Sequence, residues 1–146
     1  MHTNPTWQQE MKNAEGGLIP QMYDPTHKGD YTIGFGHKIT GQPEFSNYLG
    51  KTISPSDAEA LYQRDLAAAE DVVRRNVIQP LTQNQFDALV DFVFQAGGGN
   101  FTKSDIYTYT NLGDYPAAQR SFANTNARTT GAANRRASEA RKFGLP

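Results

Sequence analysis

The chain has no cysteine anywhere in its 146 residues. That excludes a disulfide scaffold, a thiol nucleophile and any Cys-ligated zinc or iron–sulfur centre. A chain of roughly 150 residues buries about 70% of its unfolded surface, so it needs no such staple. Histidine is scarce too, with only His2, His27 and His37. No His-Glu-x-x-His occurs, and His27 and His37 lack a ligand spacing, so no metal is expected. A Ser–His–Asp set would draw on the same three histidines and has no Gly-x-Ser-x-Gly elbow. Long apolar runs are missing as well. The most apolar stretch, Phe86 to Ala96, is interrupted by Asp87 and Asp91 and falls short of the roughly 18 residues of a membrane span, so no membrane insertion is expected. The first residues, Met1-His2-Thr3-Asn4-Pro5, have neither a basic nor an apolar export region, so no signal peptide is expected. Phosphate loops are absent: Gly34-Phe35-Gly36 lacks a third glycine and a following helix, and Gly97 to Gly99 follows a helix instead of a strand.

Net charge is nearly absent at −1, from 14 basic and 15 acidic residues, which argues against a nucleic-acid binder working by bulk electrostatics. The distribution is uneven. Residues 128 to 146 hold Arg128, Arg135, Arg136, Arg141 and Lys142 against Glu139, a local +4 that leaves −5 elsewhere. Two readings suit this basic end: a solvated helix face whose cations favour the C-terminal dipole, or a site for an anionic ligand.

What is present reads as a short α+β region followed by helices. Asn4 with Pro5 starts a first helix carrying Trp7, Met11 and Ala14 on one face, and Gly16-Gly17 ends it. Glu15 then sits at a helix C-terminus, where the dipole disfavours negative charge. Tyr31 to His37 alternates like a strand, with Thr32, Gly34 and Gly36 forming a face stripped of bulk. Such a face lets a ligand, or simply a neighbouring loop, approach the backbone closely. A long helix is predicted from Ser54-Pro55 to about Asn76, its stripe being Ala58, Leu61, Tyr62, Asp65, Ala69, Val72 and Val73. If buried there, Asp65 needs a cationic or hydrogen-bonding partner. Thr82 with Gln85 caps the core helix, with Phe86, Leu89, Val90, Val93 and Phe94 on its apolar face, and Gly97 to Gly99 ends it. Shorter helices are predicted over about Ser104 to Asn111, about Asp114 or Tyr115 to Ala123, and about Ala132 to Phe143.

With thiols and metals excluded, carboxylates carry the remaining chemistry. Glu15 closes a helix, Asp24 lies nine residues on beside Pro25, and Thr32 lies on the bare strand face. Two carboxyls in differently tuned settings are the general apparatus for glycoside cleavage. Spacing alone suits a solvated surface as well.

The segment Glu15-Gly16, Asp24, Tyr31-Thr32-Ile33-Gly34-Phe35-Gly36-His37 resembles the active-site region of phage-type lysozymes, the glycoside hydrolase family of T-even phage lysozyme and the lambdoid endolysins. Leu81 to Leu89, Val93-Phe94-Gln95, Asn100 to Ser104 and Gly131 to Glu139 extend the resemblance, in order, over most of the chain. It implies an α+β, mostly α fold with two lobes: a small sheet-bearing lobe over about residues 13–60, and a helical lobe over about 61–146, joined by the helix of about 4–14. The long helix connects the lobes, and the cleft lies between them. It implies that Glu15 is the general acid, that Asp24 assists water or stabilises positive charge on the opposite face, and that Thr32 holds the water. Gln95 and Phe35 are then glycan-binding positions, His37 and Asp65 an ion pair, and Arg135 the cation reaching Glu15. Asp24 and Thr32 stand two residues further apart than is common in the family, so Pro25 to Asp30 is expected to bulge, with Asp30 as the second choice for Asp24's role.

The resemblance implies a cofactor-free, monomeric muramidase acting on peptidoglycan glycan strands in the periplasm, made in the cytoplasm and released by a holin or a secretion machine. Many such lysozymes are basic, so wall binding in this chain would fall to the Arg-rich end or to a targeting module; an immunity protein would suit an effector. A lytic transglycosylase would use the same Glu15, and a non-catalytic wall-binding or virion module the same scaffold.

Overall fold

The protein is described by a computed structural model that covers residues 1–23, 31–40, 42 and 45–146. Its elements are α1 (Pro5–Ala14), β1 (Ile19–Tyr23), β2 (Thr32–Gly34), β3 (His37–Lys38), α2 (Phe45–Tyr48), α3 (Pro55–Asn76), α4 (Gln83–Ala96), α5 (Gly98–Thr102), α6 (Asp105–Asn111), α7 (Tyr115–Ser121), a 3-10 turn (Phe122–Asn124) and α8 (Thr130–Phe143). The backbone divides into two units, Gln8–Asp65 and Met1–Trp7 with Leu66–Pro146. The division falls inside α1 and α3. Trp7 is buried in the helical unit, its Nε1 donating to the Asp87 carbonyl at 3.1 Å, whereas Met11 is buried in the smaller unit beside Tyr62.

Asn4, in the segment that belongs to the helical unit, caps α1 just upstream by accepting from Thr6 N at 2.9 Å. The helix closes with Gly17 N donating to Lys12 O at 2.9 Å and Gly16 N to Asn13 O at 3.0 Å, with Gly16 at φ +89°. This is the paired-bond cap for which a glycine in the left-handed region is suited. It leaves Glu15 as the last residue before the chain reverses. The expected single strand over Tyr31 to His37 is instead a hairpin: β2 pairs antiparallel with β3 through Ile33–His37 and Thr32–Lys38, and β1 pairs with the other edge of β2. Gly34 at φ +68° and Gly36 at φ +80° turn the chain where the alternation predicted continuation. Ile33, Ile39, Ile53 and Ala58 are the smaller unit's buried core, flanked by Leu18, Met22, Tyr31, Phe45 and Leu61. Ser54 starts α3, its Oγ accepting from Asp57 N at 3.1 Å.

In the helical unit, Thr82 and Gln85 form a reciprocal capping box, and the eight residues Phe86 to Val93 of α4 are all buried. Phe92 of α4 meets Phe101 and Phe122, and Phe122 meets Phe143, with ring centroids 5.5–6.3 Å apart. Gly97 ends α4, but Gly98 and Gly99 open the short helix α5 and do not extend the cap. A Cβ on Gly98 would lie 3.2 Å from Val72 Cγ2, so close packing on α3 selects glycine there. The basic end is neither of the two readings above for its central residues. Arg135 and Arg136 are buried, paired with Asp91 and Glu139.

Glu70 fastens the N-terminal segment to α3. Its buried carboxylate accepts from Thr3 N at 2.6 Å and Thr3 Oγ1 at 2.7 Å, and lies 3.3 Å from Arg74 Nη2 and 3.4 Å from His2 Nδ1. Burial pushes this carboxyl up, but the Thr3 hydrogen bonds, His2 and Arg74 together outweigh it and hold it below its ordinary value. A depressed folded-state value gives stability that is present above the unfolded carboxyl range and lost as pH falls through the folded one. Glu70→Gln should therefore lower the melting temperature at about pH 6, and the difference from wild type should shrink toward zero by about pH 3, as followed by circular dichroism.

Candidate active site

Glu15 is half-buried at the end of α1 and faces the β2–β3 turn. A Cβ built on Gly36 would lie 2.6 Å from Glu15 Oε2 and 2.7 Å from its Cδ, so the carboxyl rests on backbone that only glycine leaves open. Gly34 is likewise packed, a Cβ there lying 3.3 Å from that of Ala58. The bare strand face inferred from sequence is therefore used by the protein itself: one glycine receives α3, the other the carboxyl. Gly36→Ala meets both the clash and a left-handed φ, which together cost about 1–3 kcal/mol. It is expected to lower the melting temperature by several degrees, as followed by circular dichroism.

Thr32 is half-buried on β2, and its Oγ1 donates to the Tyr23 carbonyl at 3.4 Å, at the end of β1 that leads to Asp24. Asp24 and Asp30, with the expected bulge from Pro25 to Asp30, lie outside the described residues. His37, directly after Gly36, has Nδ1 2.8 Å from Asp65 Oδ2 on α3, so these two are brought together and Asp65 has its partner. Phe35 is half-buried, meeting the Tyr62 ring edge-on at 5.9 Å between centroids, with Lys12 Nζ 5.0 Å from its ring centre.

Gln95 and Arg135 belong to the helical unit. Gln95 Oε1 accepts from Arg136 Nη1 at 2.9 Å, and Arg135 binds Asp91 Oδ1 through Nε at 2.7 Å and Nη2 at 2.6 Å. Lys12 and Glu59, beside the turn, were not singled out from sequence, because neither belongs to a motif and their meeting spans 47 residues. Among the described residues no group of three or more His, Cys, Asp or Glu could hold a metal ion, and no helix is long and apolar enough to cross a membrane.

A small antiparallel sheet, a long helix and a glutamate at the end of the first helix define a lysozyme fold. Residues 12–139 match the phage lysozyme family, and the chain belongs to that family. It is 34% identical over 94 residues to an endolysin of Acyrthosiphon pisum secondary endosymbiont phage 1, covering 64% of this chain and 60% of that one. To the endolysin of Salmonella phage P22 it is 35% identical over 114 residues, 77% of this chain and 75% of that one. Among solved structures, the muramidase domain of SpmX from Asticaccaulis excentricus superposes over 100% of both chains with a TM-score of 0.84 and 32% identity. The activity of this class is peptidoglycan-lytic.

Proposed function

We propose that the chain hydrolyses the β-1,4 bond between N-acetylmuramic acid and N-acetylglucosamine in peptidoglycan, with Glu15 as the general acid. The observation that carries this reading is the placement of Glu15: a capped helix end fixes its backbone, and a glycine turn receives its carboxyl. Glu15 gives its proton to the glycosidic oxygen as the bond to the anomeric carbon breaks. Water adds to that carbon from the opposite face, held by Thr32 and losing its proton to Asp24. Gln95 serves glycan binding, and His37, Asp65 and Arg135 give structural support. No cofactor enters this scheme. The protein acts as a monomer at the cell wall on the periplasmic side, reached from the cytoplasm through a holin or a secretion machine. A wall-targeting module or an immunity protein would be its partner beside the glycan.

Mass spectrometry of muropeptides released from purified peptidoglycan tests the reaction. Hydrolysis leaves reducing muramic acid ends. Products lighter by one water, with 1,6-anhydro ends, would replace hydrolysis by transglycosylation through the same Glu15. Binding without any new ends would reduce the chain to a wall-binding module. Asp24→Asn beside Asp30→Asn assigns the second carboxylate, the larger loss marking the residue that handles the water.

A further inference from the structure

Lys12 is more enclosed than a helix-surface lysine needs to be. Its side chain is 14% exposed, with Nζ 2.6 Å from Glu59 Oε2, 4.8 Å from the Tyr62 ring centre and 5.0 Å from that of Phe35. Glu59 is itself held by Gln63, whose Nε2 donates to Oε1 at 2.9 Å. The ammonium is thus fixed by one carboxylate and two ring faces, which suits a desolvated cation. The main chain of the same residue accepts from Gly17 and so closes the cap behind Glu15.

What the ammonium grips is the turn. Phe35 lies between Gly34 and Gly36, both at positive φ, so the turn backbone has wide freedom of its own and must be fixed by its side chains. His37 is fixed by Asp65, and Phe35 by Tyr62 and Lys12. Gly36, between these two anchors, is where the Glu15 carboxyl rests.

We propose that Lys12 is a positioning residue for the lytic reaction, clamping Phe35 so that the turn at Gly36 holds the Glu15 carboxyl in place. The proposal rests on the reading of Glu15 as the general acid. It assigns Phe35 a role in the clamp and Glu59 the role of fixing the clamp's cation. Small displacements of a catalytic group lower turnover steeply without altering how substrate is bound.

The test is steady-state kinetics on soluble glycan fragments of peptidoglycan for wild type, Lys12→Met, Lys12→Arg, Glu59→Gln and Glu15→Gln. Lys12→Met should lower kcat about tenfold or more with KM within about twofold, and Lys12→Arg should recover most of kcat by keeping the cation over the rings. If Lys12→Met costs more than about 10 °C of melting temperature, Glu59→Gln carries the test, since it leaves the ammonium and both rings in place. A fall in kcat at constant KM then supports the clamp. Unchanged kcat in the folded variants, or a rise in KM alone, overturns it when Glu15→Gln is inactive. Wild-type turnover by Glu15→Gln overturns the reading of Glu15 instead.

Discussion

Glu15→Gln is expected to lower the rate of peptidoglycan hydrolysis by about a hundredfold to ten-thousandfold, the contribution of a positioned general acid. That range corresponds to about 2.7–5.4 kcal/mol of barrier, since each tenfold is about 1.36 kcal/mol. The substitution keeps the shape of the side chain and removes only the transferable proton, so a small effect on folding should accompany a large effect on rate. The position supports this separation. Glu15 stands at the C-terminal end of α1, where a negative charge is disfavoured by about 0.3–1 kcal/mol, so neutralising it does not weaken the helix end. The melting temperature is expected to stay within about 4 °C of wild type. A variant that keeps this stability and still clears peptidoglycan at the wild-type rate would remove Glu15 from the mechanism. Gly36→Ala gives a graded counterpart, because it leaves the acid in the chain and disturbs only its seat. Activity should therefore order as wild type, Gly36→Ala, Glu15→Gln.

Local chemistry made most helix ends legible. Asn4 before Pro5, Ser54, Thr82 with Gln85, Ser104 and Asp114 with Pro116 each accept or complete a bond within a few residues, so three or four letters suffice. Glu15 was legible for the same reason, since Gly16-Gly17 marks a helix end whatever the remainder of the chain does. The hairpin at Gly34 and Gly36 was not: alternation with glycine describes a strand and a turn equally, and the choice is made by Ala58 and by the Glu15 carboxyl. Position 98, the first of α5, is glycine because Val72 on α3 lies too close for a Cβ, again a partner remote in sequence. The four-residue helix α2 has no cap signal to betray it. Asp65 announced a missing partner by lying in an apolar stripe, whereas Lys12 announced nothing, because a lysine on a helix usually meets water. The basic end misled most. Charge near a C-terminus reads as solvated, yet Arg136 and Glu139 are fully buried, since α4 presents Asp91 and Gln95 to α8.

That buried network carries the largest expected effect on stability: Arg136→Met should destabilise the folded protein by about 3–5 kcal/mol, as expected when one partner of a buried ion pair is removed. Arg136 Nε and Nη2 bind Glu139 at 2.5 and 2.8 Å, its Nη1 binds Gln95, and its guanidinium lies 4.6 Å from the Phe92 ring centre. Methionine fills much of the same space, so the loss falls on Glu139, left beside Asp91 with Arg135 Nε at 3.9 Å. Burial pushes the Glu139 carboxyl well up and Asp91 adds to it, while Arg136 and then Arg135 oppose them; without Arg136 the upward shift must grow. A carboxyl raised in the folded state contributes most below its unfolded value and loses that contribution as pH rises toward the folded one. The penalty of Arg136→Met should therefore be full at about pH 7 and smaller at about pH 5, where folding favours the protonated acid. Urea unfolding at both values measures it. Adding Glu139→Met should recover much of the loss, because two apolar side chains in place of a buried pair are often neutral or stabilising. A double variant no more stable than Arg136→Met alone would show that the lost stability came from packing against Phe92 and the hydrogen bond to Gln95, and not from a buried charge left alone.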